Sequence, residues 1–240
     1  MSETIAPVYE FDAHIRYTET DLDGFMTLPA LVNIFQDCSI FQSEALGFGP
    51  QRLRHEQKAW VLSHWHIVVD RYPRLAEEVT IGTFANQFKT VTAKRNFYMF
   101  DAQGHMIARA NSLWGFMDMA SGKPCRPSPE HLAAYGTKEA LEMPPETRKI
   151  VLPETFEARE AMPVHPDQID TNNHVNNAQY VKMAIAALPH ITHPHSLRVD
   201  FRRAAVMGDT ICPYLACEEE RTVVKLCDPQ GDIYGVVELQ

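Results

Sequence analysis

Polar side chains crowd one eight-residue stretch of this sequence, DTNNHVNN. Asp170, Asn172 and His174 alternate along it, and Asn176 and Asn177 end it. Carboxylate, amide and imidazole groups at this density can accept, donate and move protons, as acyl transfer requires. Asp and Asn are also common in turns and at helix N-termini. The residue types alone therefore leave a catalytic and a purely structural interpretation equally open.

The position of this stretch within the predicted secondary structure favours a binding site. A strand is predicted over 155–164 and a helix over 177–188, so the stretch lies at a helix start. The first backbone N–H groups of a helix are unpaired and the helix dipole is positive there. An anionic oxygen can be held at that place. Further strands are predicted at 197–203, 210–219, 222–228 and 233–239.

The first half of the chain predicts the same order of elements at greater length. A strand at 8–17 is followed by a helix at 28–47, whose residues Leu31, Ile34 and Phe35 begin an apolar face. Residues rich in Val, Ile, Phe, Tyr and Trp then predict four strands, at 59–72, 79–88, 92–100 and 106–118. We interpret this order as an antiparallel sheet wrapped around a helix.

The two polar turns can also be aligned with each other without a gap. Asp21 then falls on Asp170 and Phe25 on His174, which together with the element order favours an internal duplication. Six prolines between 122 and 153 are typical of a linker. The predicted α+β architecture is an N-terminal domain over 1–122, a linker over 123–153 and a C-terminal domain over 154–240.

Composition excludes several classes of protein. The 240 residues carry a formal net charge of −9, which argues against a nucleic acid partner. Five cysteines without a CxxC pair indicate neither a disulfide framework nor a zinc site, and the HITHPH segment is better explained as a loop than as a metal site. Without a signal-like or membrane-spanning segment, a cytoplasmic location is expected, with no membrane partner and no cofactor.

Four segments together resemble one known family. IDTNNHVNNAQY looks like the motif D-x-N-x-H-V-N-N-x-x-Y of acyl-acyl carrier protein (ACP) thioesterases, which include the plant enzymes that end fatty acid synthesis. WVLSHWHIVVDRYPR, ARANSLWGFMDMASGKP and VDFRRAAVMGDTI resemble other segments of the family in the same order. The resemblance implies two tandem hotdog domains, each an antiparallel sheet around a central helix. It also implies hydrolysis of fatty acyl-ACP, with ACP as the partner.

The resemblance also suggests roles for the polar residues. Asp170 would orient or activate water, Asn172 would contact the thioester carbonyl or the water, and His174 would transfer protons. Backbone N–H groups near Asn176 and Asn177 would supply part of an oxyanion hole. In the first copy of the turn, Phe25 cannot move protons, so the first half is expected to hold the acyl chain.

At one place the sequence departs from the family pattern, and this limits the possible catalytic mechanisms. After the positions of Arg202 and Arg203 the family often has Glu, followed in plant members by Cys, whereas this chain has Ala204 and Ala205. A cysteine nucleophile is thereby excluded at that site. Two readings remain, a hydrolase centred on Asp170, which we favour, and a weakly catalytic or non-catalytic acyl-thioester binding protein. Acyl-CoA hydrolysis also stays open, and dehydration of a hydroxyacyl thioester is less favoured.

Two surfaces are expected around this site. Apolar residues would line an acyl tunnel, with helix residues Ile34, Phe35, Phe41 and Leu46 and strand residues Trp60, Phe84, Phe97 and Trp114 as candidates. Because ACP is acidic, a basic patch would face it, with Lys89, Lys94, Arg95, Arg202 and Arg203 as candidates. The sequence leaves open the acyl chain length and whether the protein is a monomer or a homodimer.

Overall fold

The computed structural model describes residues 8–147, 149–190 and 193–240. The first half contains one long helix and a five-stranded antiparallel run of strands. Its elements are β1 Val8–His14, α1 Leu28–Ala45, α2 Pro50–His55, β2 Lys58–Val69, β3 Glu78–Phe88, β4 Thr92–Asp101 and β5 Met106–Asp118. A short strand, β6 Lys123–Pro124, and a helix, α3 Pro129–Tyr135, follow in the proline-rich segment.

The second half repeats this order with shorter elements. They are β7 Glu157–Ala158, β8 Met162–Pro163, α4 Asn177–Ala186, β9 Ser196–Phe201, β10 Thr210–Cys217, β11 Thr222–Cys227 and β12 Ile233–Leu239. The single strand predicted at 155–164 was wrong, because β7 and β8 are two separate two-residue strands, both paired with β10. No sequence pattern predicted α2, because its six residues are too few to show a helical period.

All the main strands form one continuous antiparallel sheet. Its order is β1-β3-β4-β5-β2-β9-β12-β11-β10-β7. The two halves meet where β2 pairs with β9, with Trp65 opposite Val199 and His64 opposite Asp200. Because side chains alternate between the two faces of a strand, Trp65 and His64 point to opposite sides of this junction.

The two long helices lie side by side against one face of this sheet, in contact with each other. Between α1 and the sheet, the fully buried rings of Phe35, Trp65 and Phe97 pack with centroid separations of 4.8–6.4 Å. The apolar face predicted for the first helix is confirmed, since Leu31, Ile34 and Phe35 are buried. Among the described residues no helix is long and apolar enough to cross a membrane.

On the opposite face of the sheet, the proline-rich segment is held by a cluster of charged side chains. His64 contacts Asp200 through Nδ1 at 2.7 Å and Glu146 through Nε2 at 2.9 Å. The backbone N–H of Ile150 donates to Asp200 at 2.9 Å, and Arg198 donates to the Thr147 carbonyl at 2.7 Å. The segment therefore packs across the junction between the halves instead of hanging free.

The charge of His64 affects the pKa values of the carboxylates in this cluster. Burial works to lower the pKa of His64, but its contacts with Asp200 and Glu146 outweigh burial and raise the pKa to about 9. The histidine is thus charged at neutral pH. Burial works to raise the pKa of Glu146 and of Asp200, yet the contact with His64 leaves both below their ordinary values.

Glu146→Gln should lower the free energy of unfolding by about 1–2 kcal/mol at pH 7, because it removes a charge-assisted contact. The contribution of His64 to the free energy of unfolding is complete below its unfolded pKa of about 6.5 and is lost as the pH rises through about 9. The difference between variant and wild type should therefore shrink at pH 10. Urea unfolding at both pH values measures it, with exposed Glu139→Gln as control. An equal loss at both pH values would contradict this account.

Candidate active site

The polar stretch of the second half folds into a tight turn just before α4. The backbone N–H of Asp170 donates to the His174 carbonyl at 2.8 Å, and that of Asn173 donates to the Asp170 carbonyl at 3.0 Å. Asn173 adopts a left-handed conformation with φ of 60°, which Asn tolerates better than most residues. The Asn172 N–H donates to Oδ1 of Asp170 at 2.7 Å. The turn thus fixes the carboxylate of Asp170 through the backbone.

The first half contains the same turn, bonded in the same way. The Asp21 N–H donates to the Phe25 carbonyl at 2.9 Å, and the Gly24 N–H donates to the Asp21 carbonyl at 3.1 Å. Gly24, with φ of 77°, takes the place of Asn173. The Asp23 N–H donates to Oδ1 of Asp21 at 3.0 Å. These matched bonds support the internal duplication.

The two aspartates differ in the number of hydrogen bonds that their carboxylates accept. Oδ1 of Asp21 accepts a second backbone bond from Phe25 at 3.0 Å, and its Oδ2 contacts Nε2 of His193 at 2.7 Å. Burial works to raise the pKa of Asp21, but the bonds from Phe25, His193 and Asp23 hold it below its ordinary value. For Asp170 the described residues provide only the bond from Asn172. Its Oδ2 is therefore available to a ligand.

The structure brings the other predicted site residues to the same place. His174 is half-buried and Asn172 is exposed, and neither side chain has a hydrogen-bond partner among the described residues. Oδ1 of Asn176 caps α4 by accepting from Ala178 N at 2.9 Å, and the Asn176 N–H donates to the Gln168 carbonyl at 2.9 Å. The backbone N–H of Asn177 has no acceptor in the described part of the chain.

A cavity of about 690 Å³ joins this turn to the first half of the chain. Residues 170–175 form part of its wall, together with Gln36, Ser39 and Ser43 of α1. Arg54 binds the turn directly, donating from Nη2 to the Thr171 carbonyl at 3.0 Å. The cavity is thus built by both halves.

The predicted apolar lining is only partly right. Trp60 and Trp114 line the cavity, with Phe48 and Phe88, but Ile34, Phe35, Phe84 and Phe97 are buried in the core outside it. Phe41 is 44% exposed. The helix face that carries the apolar period packs on the sheet, so the neighbouring face, with Gln36, Ser39, Ile40 and Ser43, meets the cavity. Periodicity identified the first face, and no sequence signal identified the second.

The predicted basic patch also needs a correction. Lys89, Lys94, Arg202 and Arg203 are exposed, but Arg95 is only 8% exposed and lines the cavity. Its Nη1 donates to Oε1 of Gln42 and to Oγ1 of Thr83. Burial lowers the pKa of Arg95. Alternation on β4 places this guanidinium on the inner face of the sheet.

Ala204 and Ala205 lie against the polar turn. Ala204 is exposed and lines the cavity, while buried Ala205 accepts the Val175 N–H through its carbonyl at 2.9 Å. The Ala205 N–H donates to the Tyr180 hydroxyl at 2.8 Å. The cavity lining contains no cysteine among the described residues. A thiol nucleophile is therefore not available at this site.

Comparison with known proteins identifies the family. The model of the acyl-ACP thioesterase N-terminal domain matches residues 7–135, and that of the acyl-ACP thioesterase C-terminal domain matches residues 153–228. The chain belongs to the acyl-ACP thioesterase family. It is 24% identical to oleoyl-acyl carrier protein thioesterase 2, chloroplastic, of Arabidopsis thaliana, over 90% of this chain and 65% of that protein. The chain therefore spans slightly less than two thirds of the length of that relative.

Solved structures agree on the fold. An acyl-ACP thioesterase from Bacteroides thetaiotaomicron superimposes with a TM-score of 0.87 at 19% identity, covering 97% of each chain. The 12:0-ACP thioesterase from Umbellularia californica also gives 0.87 at 19% identity, covering 98% of this chain and 97% of that one. The expected double hotdog is confirmed. No cluster of metal-binding side chains occurs among the residues described.

In this thioesterase-family chain, α1 lines the cavity. At the end of α1 that is far from the turn, α3 also forms part of the cavity wall. The buried Tyr135 hydroxyl donates to Oγ of Ser43 at 2.8 Å, and the Arg95 guanidinium lies 5.4 Å from the Tyr135 ring centre. Gln36, which contacts Asn177, is seven residues before Ser43 on α1, a distance of roughly 10 Å along the helix. Tyr135 therefore lines a part of the cavity that is remote from the turn of Asp170.

Tyr135→Leu should shift binding toward longer fatty acids, because a smaller side chain lengthens the cavity. Displacement of a fluorescent fatty acid by unlabelled acids of graded length measures the preference. Tyr135→Phe keeps the ring and removes only the hydroxyl, so its length preference should match that of wild type. An unchanged preference in a folded Tyr135→Leu variant would show that the cavity ends elsewhere.

Proposed function

We propose that this protein hydrolyses fatty acyl-ACP thioesters to free fatty acid and carrier protein, with Asp170 as the central residue. The observation that carries the proposal is the contrast between two equivalent carboxylates. That of Asp21 is occupied by two backbone N–H groups and His193, whereas Oδ2 of Asp170, beside the cavity, accepts no hydrogen bond from any described residue. Only the second turn has a carboxylate ready to accept a proton from water.

The reaction follows from these positions. Asp170 accepts a proton as the water oxygen attacks the thioester carbonyl carbon, and the carbonyl electron pair moves onto oxygen. The Asn177 N–H at the start of α4 stabilises that oxyanion. When the tetrahedral intermediate collapses, the carbon–sulfur bond breaks and the proton passes to sulfur, with His174 as the carrier. Asn172 orients the water or the carbonyl.

Asp170→Asn should lower kcat for thioester hydrolysis by at least about 10²-fold, since an amide cannot accept the proton. The matched control is Asp21→Asn, the same change in the equivalent turn, which should leave hydrolysis close to wild type. Release of free thiol from acyl-ACP of graded chain length measures both variants. A fully active Asp170→Asn enzyme would refute the proposed role of this residue.

A second candidate is an acyl-thioester binding protein without turnover. The observation that favours it is Ala204, which faces the cavity where relatives often carry Glu. That candidate predicts a stoichiometric complex between the protein and an acyl thioester that persists for hours without release of thiol. A third candidate is an acyl-CoA thioesterase. Hydrolysis of acyl-CoA measured beside that of acyl-ACP, at equal chain length, distinguishes it from the proposed function.

The carrier protein is proposed to dock where the cavity opens beside the turn. Arg54 and Arg202 are exposed there and line the cavity, and neither has a carboxylate partner among the described residues. Arg203 differs, because it is paired with Asp228. Two guanidinium groups without a carboxylate partner in the described part of the chain suit the acidic surface of ACP despite the net charge of −9.

Arg202→Glu should raise KM for acyl-ACP several-fold at low salt, because a charge on the rim of an interface mainly affects association. Hydrolysis of a short acyl-pantetheine thioester, which lacks the protein partner, should be unaffected. Lys123→Glu, the same change of charge on exposed β6, is the control. Equal effects of Arg202→Glu on both substrates would argue against docking at this place.

A further inference from the structure

The first half of the chain places an amide side chain beside the polar turn of the second half. Gln36 lies on α1 and lines the cavity together with residues 170–175 and Asn177. Its Oε1 accepts a hydrogen bond from Nδ2 of Asn177 at 2.9 Å. Because Oε1 accepts this bond, the contact with Asn177 leaves the Nε2 group of the same amide unused.

The Nε2 group of Gln36 is available as a donor. The residue is half-buried, and the described residues offer Nε2 no acceptor. The backbone N–H of Asn177, at the positive end of α4, is likewise without an acceptor in the described chain. Two N–H donors from different halves of the molecule are therefore linked by the contact between Gln36 and Asn177. Two such donors that converge on one oxygen form an oxyanion hole.

The duplicated architecture shows that this amide is specific to one turn. α1 follows its N-cap Thr27 and α4 follows its N-cap Asn176, so Gln36, nine residues after Thr27, corresponds to Ile185, nine after Asn176. Ile185 packs against the hydrophobic core. The chain thus keeps an amide on α1, where it meets the turn of Asp170, and has an aliphatic side chain at the equivalent position of α4.

We propose that Gln36 is a catalytic residue, whose Nε2 group donates to the thioester carbonyl oxygen and, together with the Asn177 N–H, stabilises the oxyanion. This inference rests on the proposed hydrolase function and adds to it that the first half contributes directly to the chemistry. The charge that develops on the carbonyl oxygen strengthens this hydrogen bond in the transition state, so the effect falls on kcat.

Gln36→Met tests the role because it keeps the length of the side chain and removes both N–H donors. We expect kcat to fall by about 10²-fold with little change in KM. Asn177→Ala removes the contact with Gln36 but leaves the backbone N–H and the Gln36 amide in place, so its loss should be smaller. Gln51→Met, the same change on the exposed face of α2, should leave hydrolysis unchanged.

Inhibitor binding separates a catalytic amide from a merely structural one. An acyl trifluoromethyl ketone forms an oxyanion-like hydrate, whereas the matching thioether has no carbonyl. Gln36→Met should weaken binding of the ketone about 10²-fold and leave the thioether unaffected. Equal losses for both ligands, or a kcat within twofold of wild type, would overturn the inference. If Asp170→Asn abolishes hydrolysis while Gln36→Met does not, only the inference about Gln36 fails.

Discussion

The antiparallel pairing of β2 with β9 is the constraint on which the rest of the structure depends. It joins the two halves into one sheet and places α1 and α4 side by side on one face. Since the turn of the second half precedes α4, it lies next to the helix of the first half. The contact between Asn177 and Gln36 is the direct product of this arrangement.

The proline-rich segment is linked to the same junction by charged contacts. His64 and Asp200 face each other across the β2–β9 pair, on the side away from the helices, and Glu146 bridges to them from the segment between the halves. The charges on this side and the aromatic core on the other side thus stabilise one boundary.

Duplication followed by divergence accounts for the asymmetry of the molecule. Both copies keep the hydrogen bonds of the polar turn, because those bonds shape the entry into each helix. In the first copy Phe25 occupies the position of His174, and His193 uses the carboxylate of Asp21. The first half contributes to the wall of the cavity, while in the second half Oδ2 of Asp170 accepts no hydrogen bond from the described residues.

The sequence by itself determined the order of the long strands and of the two long helices, the duplication and the turn of Asp170, because periodicity, turn residues and a dense local motif are short-range properties. It did not determine the lining of the cavity. Gln36, Arg95 and Tyr135 are far from the motif in the chain, and each has an ordinary alternative role in its local context. Only tertiary packing decided that these three line the same cavity as Asp170, because the helix face and strand face that meet there depend on how the two halves join.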